Sequence, residues 1–414
     1  MSLQQPSPAP LHNLLSLLPD APELGSRALF PTLQPSVYAN HAAVSPASLA
    51  VQQAVSTYLS DSAQSGLGAV LPWMAQRERL RARLAALLRG STAADIALTA
   101  GTSAGIVDIA MCHPWKAGDR VILFEGEFPA NVTPWLQAAQ LYDLRPEWVS
   151  LTGFSGGSGD GLAAVETALK RGAAMVAVSA VQFQTGLRMP IGALGGLCRR
   201  YGAALFVDAI QACGVVPVDV ELVDYLACGG HKWMMGLEGV GFLYVDPTRV
   251  DALRPRLASW LSHEDGLGFL FEGRGHLRYD RAIRKRADMF ESSAPQTALF
   301  AGLDGGLTTL EHIGVEAIFA HVQQWHDLAE QGLRHRGFSS LRAPHISGRS
   351  GSLCVEPPDD IPITALSAGL VERGVSVAIP DGRLRLAPHW PNALLEVDGM
   401  MEVVDAVVAS IRQS

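Results

Sequence analysis

The chain has 414 residues, 48% of them hydrophobic and 17% charged, with a formal net charge of −8. That is enough chain for a large core and two domains. The charged fraction is below the usual quarter or so, as when a second subunit covers part of the surface. The mild acidity argues against nucleic acid or an anionic membrane as partner, because either would need a basic face.

No apolar run reaches membrane-spanning length, and the apolar stretch 11–18 lacks the basic flank and cleavage site of a signal peptide. Five cysteines (Cys112, Cys198, Cys213, Cys228 and Cys354) are scattered without metal-ligand spacing. An odd, unpatterned set suits reduced thiols packed in the core of a cytoplasmic protein.

Residues 1–35 are rich in Pro, Ser and Leu and read as an arm. No internal repeat is present. Residues 77–89 give an amphipathic helix, with Leu80, Leu84, Leu87 and Leu88 near helical spacing. Short apolar runs at 96–99, 121–124, 174–179 and 204–207 read as buried strands, and 239–245 (GVGFLYV) as a glycine-rich one. Runs apolar throughout, separated by helical stretches, predict an α/β fold with a mostly parallel sheet covered on both faces. Residues 156–161 (GGSGDG) read as a polar surface turn.

After about residue 292 the character changes. One long helix is expected over 303–334, strands near 352–355, 375–379 and 383–386, and a last helix over 395–411. The expected organisation is an arm to residue 40, a large domain over 41–290 and a small α+β domain over 291–414.

The stretch 205–245 is the most informative. Asp208 follows a buried strand, so its carboxylate belongs at the strand's carboxyl end, where open α/β sheets place ligands. Gln211 follows one short turn later, and Lys232 stands 24 residues beyond Asp208, between His231 and Trp233 and after Gly229 and Gly230. A lysine in such surroundings is poorly placed as a solvated surface charge. Burial lowers an ammonium pKa and makes the amine a nucleophile able to condense with a carbonyl.

The pattern D-x-x-Q, H-K-W, G-x-G-F-L-Y resembles the class V aminotransferase family of fold type I pyridoxal-phosphate (PLP) enzymes. That family includes cysteine desulfurases, selenocysteine lyases, isopenicillin-N epimerase-like proteins and kynureninases. The resemblance implies that Lys232 forms the Schiff base with PLP, that Asp208 pairs with the pyridinium and that Gln211 contacts the ring hydroxyl. An acid at the ring nitrogen keeps the heterocycle able to take up electrons. His231 is placed to touch the ring or the phosphate.

Other segments match in the same order, over residues 38–405. Gly101, Thr102 and Ser103, between a strand and a helix, resemble the phosphate cup; amides at a helix start with hydroxyls beside them suit a phosphate. Glu127 to Trp135 (EFPANVTPW) resembles the segment whose residue after the Glu stacks on the ring, here Phe128. Residues 182–186 (QFQTG) resemble the segment beside the ring hydroxyl, with Gln184 or Thr185 facing the pocket. Near the end, Arg385 matches the arginine that grips the substrate α-carboxylate, a task suited to a planar bidentate fork. Asn40 and His41 resemble a substrate-side segment.

Three departures stand out. Residues 374–382 (GVSVAIPDG) lack the nucleophilic cysteine of cysteine desulfurases. Gly229 replaces a phosphate-binding Ser. Ser293-Ala294-Pro295 replaces a G-T-P contact made from the partner subunit, leaving Ser293 as the substitute hydroxyl. Two lost hydroxyl bonds to a charged phosphate would weaken cofactor binding by about 1.5–3 kcal/mol each.

The resemblance thus implies a cytoplasmic homodimer acting on an amino acid through an external aldimine and Cα deprotonation by Lys232. An aminotransferase or a C–S or β-elimination lyase is the first expectation; amino-acid epimerisation and kynureninase-like hydrolysis are alternatives. A catalytically inactive binding protein is the rival from another class, opposed by the complete Lys232–Asp208–Gln211 set. No G-x-G-x-x-G follows the first strand, which opposes a nicotinamide-binding reading. Residues 249–286, rich in Arg and aromatics, offer Trp260, His263, Phe269, Arg274, His276 and Arg278 as further pocket candidates.

Overall fold

In a computed structural model, residues 10–11, 13–155 and 159–413 are described. Seven strands form the central sheet: β1 (Ile96–Thr99), β2 (Arg120–Phe124), β3 (Arg145–Val149), β4 (Ala173–Ser179), β5 (Ala204–Asp208), β6 (Tyr225–Gly229) and β7 (Gly241–Val245). Their order is β1-β7-β6-β5-β4-β2-β3. All neighbours run parallel except at β7, which is antiparallel to both β1 and β6.

The sheet explains the unbroken apolar runs. Val176 and Val178 of β4 pack into one apolar cluster, while Met175 and Ala177 pack into another on the opposite face. Leu205 and Val207 of β5 divide from Ala204 and Phe206 in the same way. A strand covered on both faces has no position at which a polar side chain reaches water. The antiparallel β7 brings backbone very close at its start. A Cβ on Gly241 would lie 2.2 Å from the Cys228 carbonyl oxygen and 2.8 Å from the Cα of Gly101, so only glycine fits.

Helices α1 (Leu49–Ser65), α2 (Val70–Leu87) and α3 (Thr102–Cys112) belong to this body. The helix expected over 303–334 is two: α4 (Thr297–Ile313) and α5 (Val315–His335). Gly314 separates them with φ +89°, a conformation that closes one helix and that other residues resist. The helix expected at 77–89 starts earlier, at Val70, and ends at Leu87, because Leu88–Arg89 pairs in parallel with Val218–Asp219. Of the expected turn at 156–161, residues 156–158 lie outside the described residues, and Asp160–Leu169 is already helix.

A second, three-stranded antiparallel sheet has β8 (Ser339–Ser340), β9 (Leu353–Glu356) and β10 (Leu384–Leu386), with β9 in the centre. Its apolar cluster joins Leu353, Val355, Leu384 and Leu386 to Trp325 of α5 and to Met400 and Val404 of the last helix, Glu396–Gln413. Val37 and Ala39 join it too, as Val37–Tyr38 pairs in parallel with Val375–Ser376. The early segment read as an arm is therefore tied down at its end. Further back, Leu11 and Leu14 are buried against Ala54, Trp73 and Ala301. Helix α4 contributes Phe300, Leu303 and Leu307 to the main core, so it packs with the large sheet. Among the described residues no helix is long and apolar enough to cross a membrane.

Candidate active site

Register places the chemistry. Ser179 is the partner of Asp208 across β4 and β5, and Asp208 is the partner of Ala227 across β5 and β6. The carboxyl ends of the parallel strands therefore finish level, and a cavity of about 650 Å³ opens above them. Gly101, Thr102, Ser103, Phe128, Ser179, Phe183, Asp208, Gln211, His231, Lys232 and Arg385 all line it. Most of the sequence-derived set thus meets in one place.

Asp208 is buried, and its carboxylate accepts the Ile210 N–H at 3.0 Å. Burial pushes its pKa well up, the nearby Glu127 adds to that, and Lys232 opposes it. Lys232 sits in the loop between β6 and β7. Burial lowers its ammonium pKa, to about 8, with Asp208 acting against burial and Arg385 with it. A lysine so shifted has a sizeable free-amine fraction near neutrality. Its Nζ lies 5.7 Å from the centre of the Phe128 ring. Burial, helped by Lys232, holds His231 below its usual pKa and so neutral.

The donor set fits PLP. Helix α3 begins at Thr102 after Gly101 (φ +131°), and its first-turn amides have no acceptor within the helix. The Thr102 hydroxyl is buried without a partner. A Cβ on Gly229 would lie 3.1 Å from that hydroxyl, so it stands beside the spot where a Ser at 229 would project. Orphan hydroxyl and free amides fit a phosphate. The half-exposed Phe128 ring, edge-on to Phe183 at 5.3 Å, offers a flat face near the amine.

Arg385, on β10, reaches in from the small sheet. It is 5% exposed, its Nη1 donates to the Phe183 carbonyl at 3.1 Å and its Nε has no partner. Among the described residues it has no carboxylate partner, and burial lowers its pKa. A guanidinium buried without an anion is costly, and a bound carboxylate would relieve it.

Gln211 lines the cavity with its amide already engaged. Its Nε2 donates to the Ala42 carbonyl at 3.0 Å and its Oε1 accepts Trp233 Nε1–H at 2.9 Å. Five expected residues lie elsewhere. Gln184 donates to Asp381 at 3.0 Å and does not line the cavity; Thr185 accepts the Leu187 N–H. The chain alternates here: Val181 and Phe183 face the cavity, and Gln182 turns to Glu127. A period of two was the available signal for Phe183. Asn40 bridges to Ala387, and His41 is buried on Ser45 at 2.7 Å; neither lines the cavity. Ser293 is exposed, outside the cavity of its own chain. Of the candidates in 249–286, none lines it; Trp260 stacks edge-on with Phe269, and His263 bonds the Arg281 carbonyl.

Two residues that sequence reasoning missed deserve naming for their chemistry. Ser179 gives its N–H and its hydroxyl to the Glu127 carboxylate, which Gln182 also contacts at 3.0 Å. This buried carboxylate, pushed up in pKa by burial, lies near Asp208. All five cysteines are buried and free, and none lines the cavity. Burial pushes the Cys354 thiol up to about 12.

The family model for aminotransferase class V matches residues 37–379. A probable cysteine desulfurase of Pyrococcus abyssi is 26% identical over 345 residues, covering 77% of this chain and 80% of that protein. An uncharacterized aminotransferase of Bacillus subtilis, YcbU, is 28% identical over 389 residues, covering 92% and 96%. Among solved structures, the apo cysteine desulfurase of Thermococcus onnurineus NA1 superposes with a TM-score of 0.80 at 23% identity, covering 90% of this chain and 95% of that one. A variant of C-DES with glycine covalently linked to its PLP cofactor gives 0.82 at 20% identity, covering 92% and 99%. Fold, cavity and family model agree: this chain belongs to the aminotransferase class V family and is a PLP-dependent enzyme.

Proposed function

We propose that the enzyme acts on an amino acid by removing its Cα proton, as an aminotransferase or a C–S or β-eliminating lyase. The observation that carries this is Arg385, a buried guanidinium without an acid partner among the described residues, in the same cavity as Lys232 and Asp208. PLP bound here supplies an electron sink for the pair released at Cα. Thr102, Ser103 and the first amides of α3 would hold its phosphate, Phe128 one ring face, and Asp208 its ring nitrogen. Arg385 would bind the substrate carboxylate through its planar fork and so orient the substrate. Lys232 Nζ, shifted towards its free-amine form, accepts the Cα proton.

Several relatives are called cysteine desulfurases. In this chain no cysteine lines the cavity, so cleavage of a C–S bond would release sulfur to solvent and not to a protein thiol. The cystine C–S lyase C-DES, solved with its product cysteine persulfide, shares the fold at a TM-score of 0.81 and 20% identity. A cytoplasmic homodimer is part of the same reading. Its supports are five unpaired cysteines and an exposed apolar stretch with Leu270, Phe271 and Leu277.

The deciding experiment incubates the PLP-loaded protein with a panel of amino acids and identifies products. A keto acid with pyridoxamine phosphate means transamination; pyruvate with ammonia and a thiol means elimination. Solvent deuterium at Cα with inversion and no other product would replace both by epimerisation. No change in any amino acid would overturn the reading.

A further inference from the structure

The loop that carries Lys232 is irregular, yet its backbone is fastened at three successive carbonyls. The His231 carbonyl accepts the Ser45 N–H at 2.8 Å. The Lys232 carbonyl accepts the Ser45 hydroxyl at 2.7 Å, as well as the Met235 N–H at 2.9 Å. The Trp233 carbonyl accepts from His389 Nε2 at 2.9 Å. Two of these anchors come from residues 41–45 and the third from the strand end after Arg385.

Hydrogen bookkeeping fixes the roles. Ser45 has one hydroxyl hydrogen, and it points to the Lys232 carbonyl. His41 Nδ1, 2.7 Å from Ser45 Oγ, must therefore donate. His389 Nδ1 accepts the Trp390 N–H at 2.7 Å, which leaves its Nε2 as the donor to Trp233. Both imidazoles are wholly buried and their rings meet edge-on at 5.3 Å. Gln211 closes the set by bridging the Trp233 indole to the Ala42 carbonyl. The same segment is tied to the strand that bears Arg385. The His41 N–H donates to the Ala387 carbonyl at 3.0 Å, and the Ala387 N–H to the Ala39 carbonyl at 2.8 Å.

We propose that His41, Ser45 and His389 are positioning residues: a hydrogen-bonded clamp that fixes the backbone on both sides of Lys232 and holds its amine in register with Arg385. None of the three lines the cavity. The clamp spans residues far apart in sequence, so it couples the two groups that engage the two ends of a bound amino acid. It rests on the reading of Lys232 as the PLP lysine.

The test follows release of PLP from the holoenzyme by its visible absorbance after dilution, alongside the thermal midpoint. Ser45→Ala should release cofactor about three- to tenfold faster, the range for one net hydrogen bond. His41→Ala should do the same, and His41→Asn, whose amide nitrogen can stand where Nδ1 stood, should restore the wild-type rate. His41 acts through Ser45, so the double alanine variant should be no faster than Ser45→Ala alone. If the serine variant does not fold, His389→Ala against His389→Gln gives the same comparison, because Gln can place a donor near Nε2. Release within twofold of wild type for every alanine variant, or fully additive effects of His41 and Ser45, would overturn the clamp. A wild type that takes up no PLP would instead overturn the reading of Lys232, and the clamp with it.

Discussion

Residues 229–236 and residues 260–281 are both irregular stretches of chain, and they could hardly differ more. In the first, successive carbonyls find donors from distant segments, and Trp233, Met234 and Met235 are buried. In the second, Phe269, Leu270, Phe271 and Leu277 are exposed, and Tyr279 is 87% exposed. Its polar contacts are mostly local, such as His263 with Arg281 and Arg278 with Asp280. Irregular backbone is held rigid when each polar group has a partner and the side chains are buried; neither condition holds for the second stretch. The lysine loop is therefore held in place by the fold around it, and the other stretch is not.

The hardest blow to this contrast falls on the held loop. On the proposed reading, Lys232→Ala removes the amine that binds the cofactor and takes the Cα proton. Turnover should fall by about a thousandfold or more, and the visible absorbance of the covalently held cofactor should vanish. Retention of that band would show that another amine holds the cofactor. Arg385→Ala should act differently. It removes the grip proposed for a substrate carboxylate, so KM should rise about a hundredfold, equivalent to about 3 kcal/mol for a charge-assisted bidentate contact. The cofactor band should persist. Equal loss of band and turnover would mean that Arg385 supports the fold and not the substrate.

The same contrast explains what the sequence reveals and what it conceals. Buried strands show as unbroken apolar runs because both faces of the sheet are covered. Asp208, Lys232, Phe128 and Arg385, which meet in one cavity, are legible because few side chains could take the task proposed for each. Gln184 misleads because the segment 181–184 alternates, and a one-residue error in phase swaps cavity for exterior; Phe183 is the cavity residue. His41 misleads for another reason. Its partners are Ser45 close by and, through Ser45, the carbonyl of Lys232, which lies 187 positions beyond Ser45, a contact that no local pattern encodes. Gly314 was visible as a glycine, and its positive φ turns one expected helix into two.

Smaller effects sharpen the picture at the proposed phosphate end of the cavity. Thr102→Val keeps the shape and removes the orphan hydroxyl beside Gly229. PLP binding should weaken about tenfold or somewhat more, as expected for a hydrogen bond to a charged group, with little change in thermal midpoint of the apo protein. Unchanged affinity, measured by absorbance titration, would show that the amides of α3 suffice. Acid should act through His389. Burial holds its pKa at about 4, below the 6.5 of an exposed imidazole, so the unfolded chain binds the extra proton first. Stability is then full above pH 6.5 and falls as pH drops towards 4, by up to about 1.4 kcal/mol per pH unit for this site. In the urea midpoint against pH, His389→Gln should flatten the slope by about one proton; an unaltered slope would assign the acid sensitivity to other buried histidines such as His326.

The least effect belongs to the loose stretch, where a negative result is informative. Tyr279→Ser removes a side chain that is almost wholly exposed and takes part in no ring contact among the described residues. A surface substitution of this kind changes stability by no more than about 0.5 kcal/mol, so the thermal midpoint of the isolated chain should stay put. If two copies associate over this stretch, the same substitution should still leave the fold alone but raise the dissociation constant of the dimer, read by sedimentation or size-exclusion at falling concentration. A large drop in thermal midpoint that does not depend on protein concentration would break the contrast, because it would mean that residues 260–281 are held as firmly as the lysine loop.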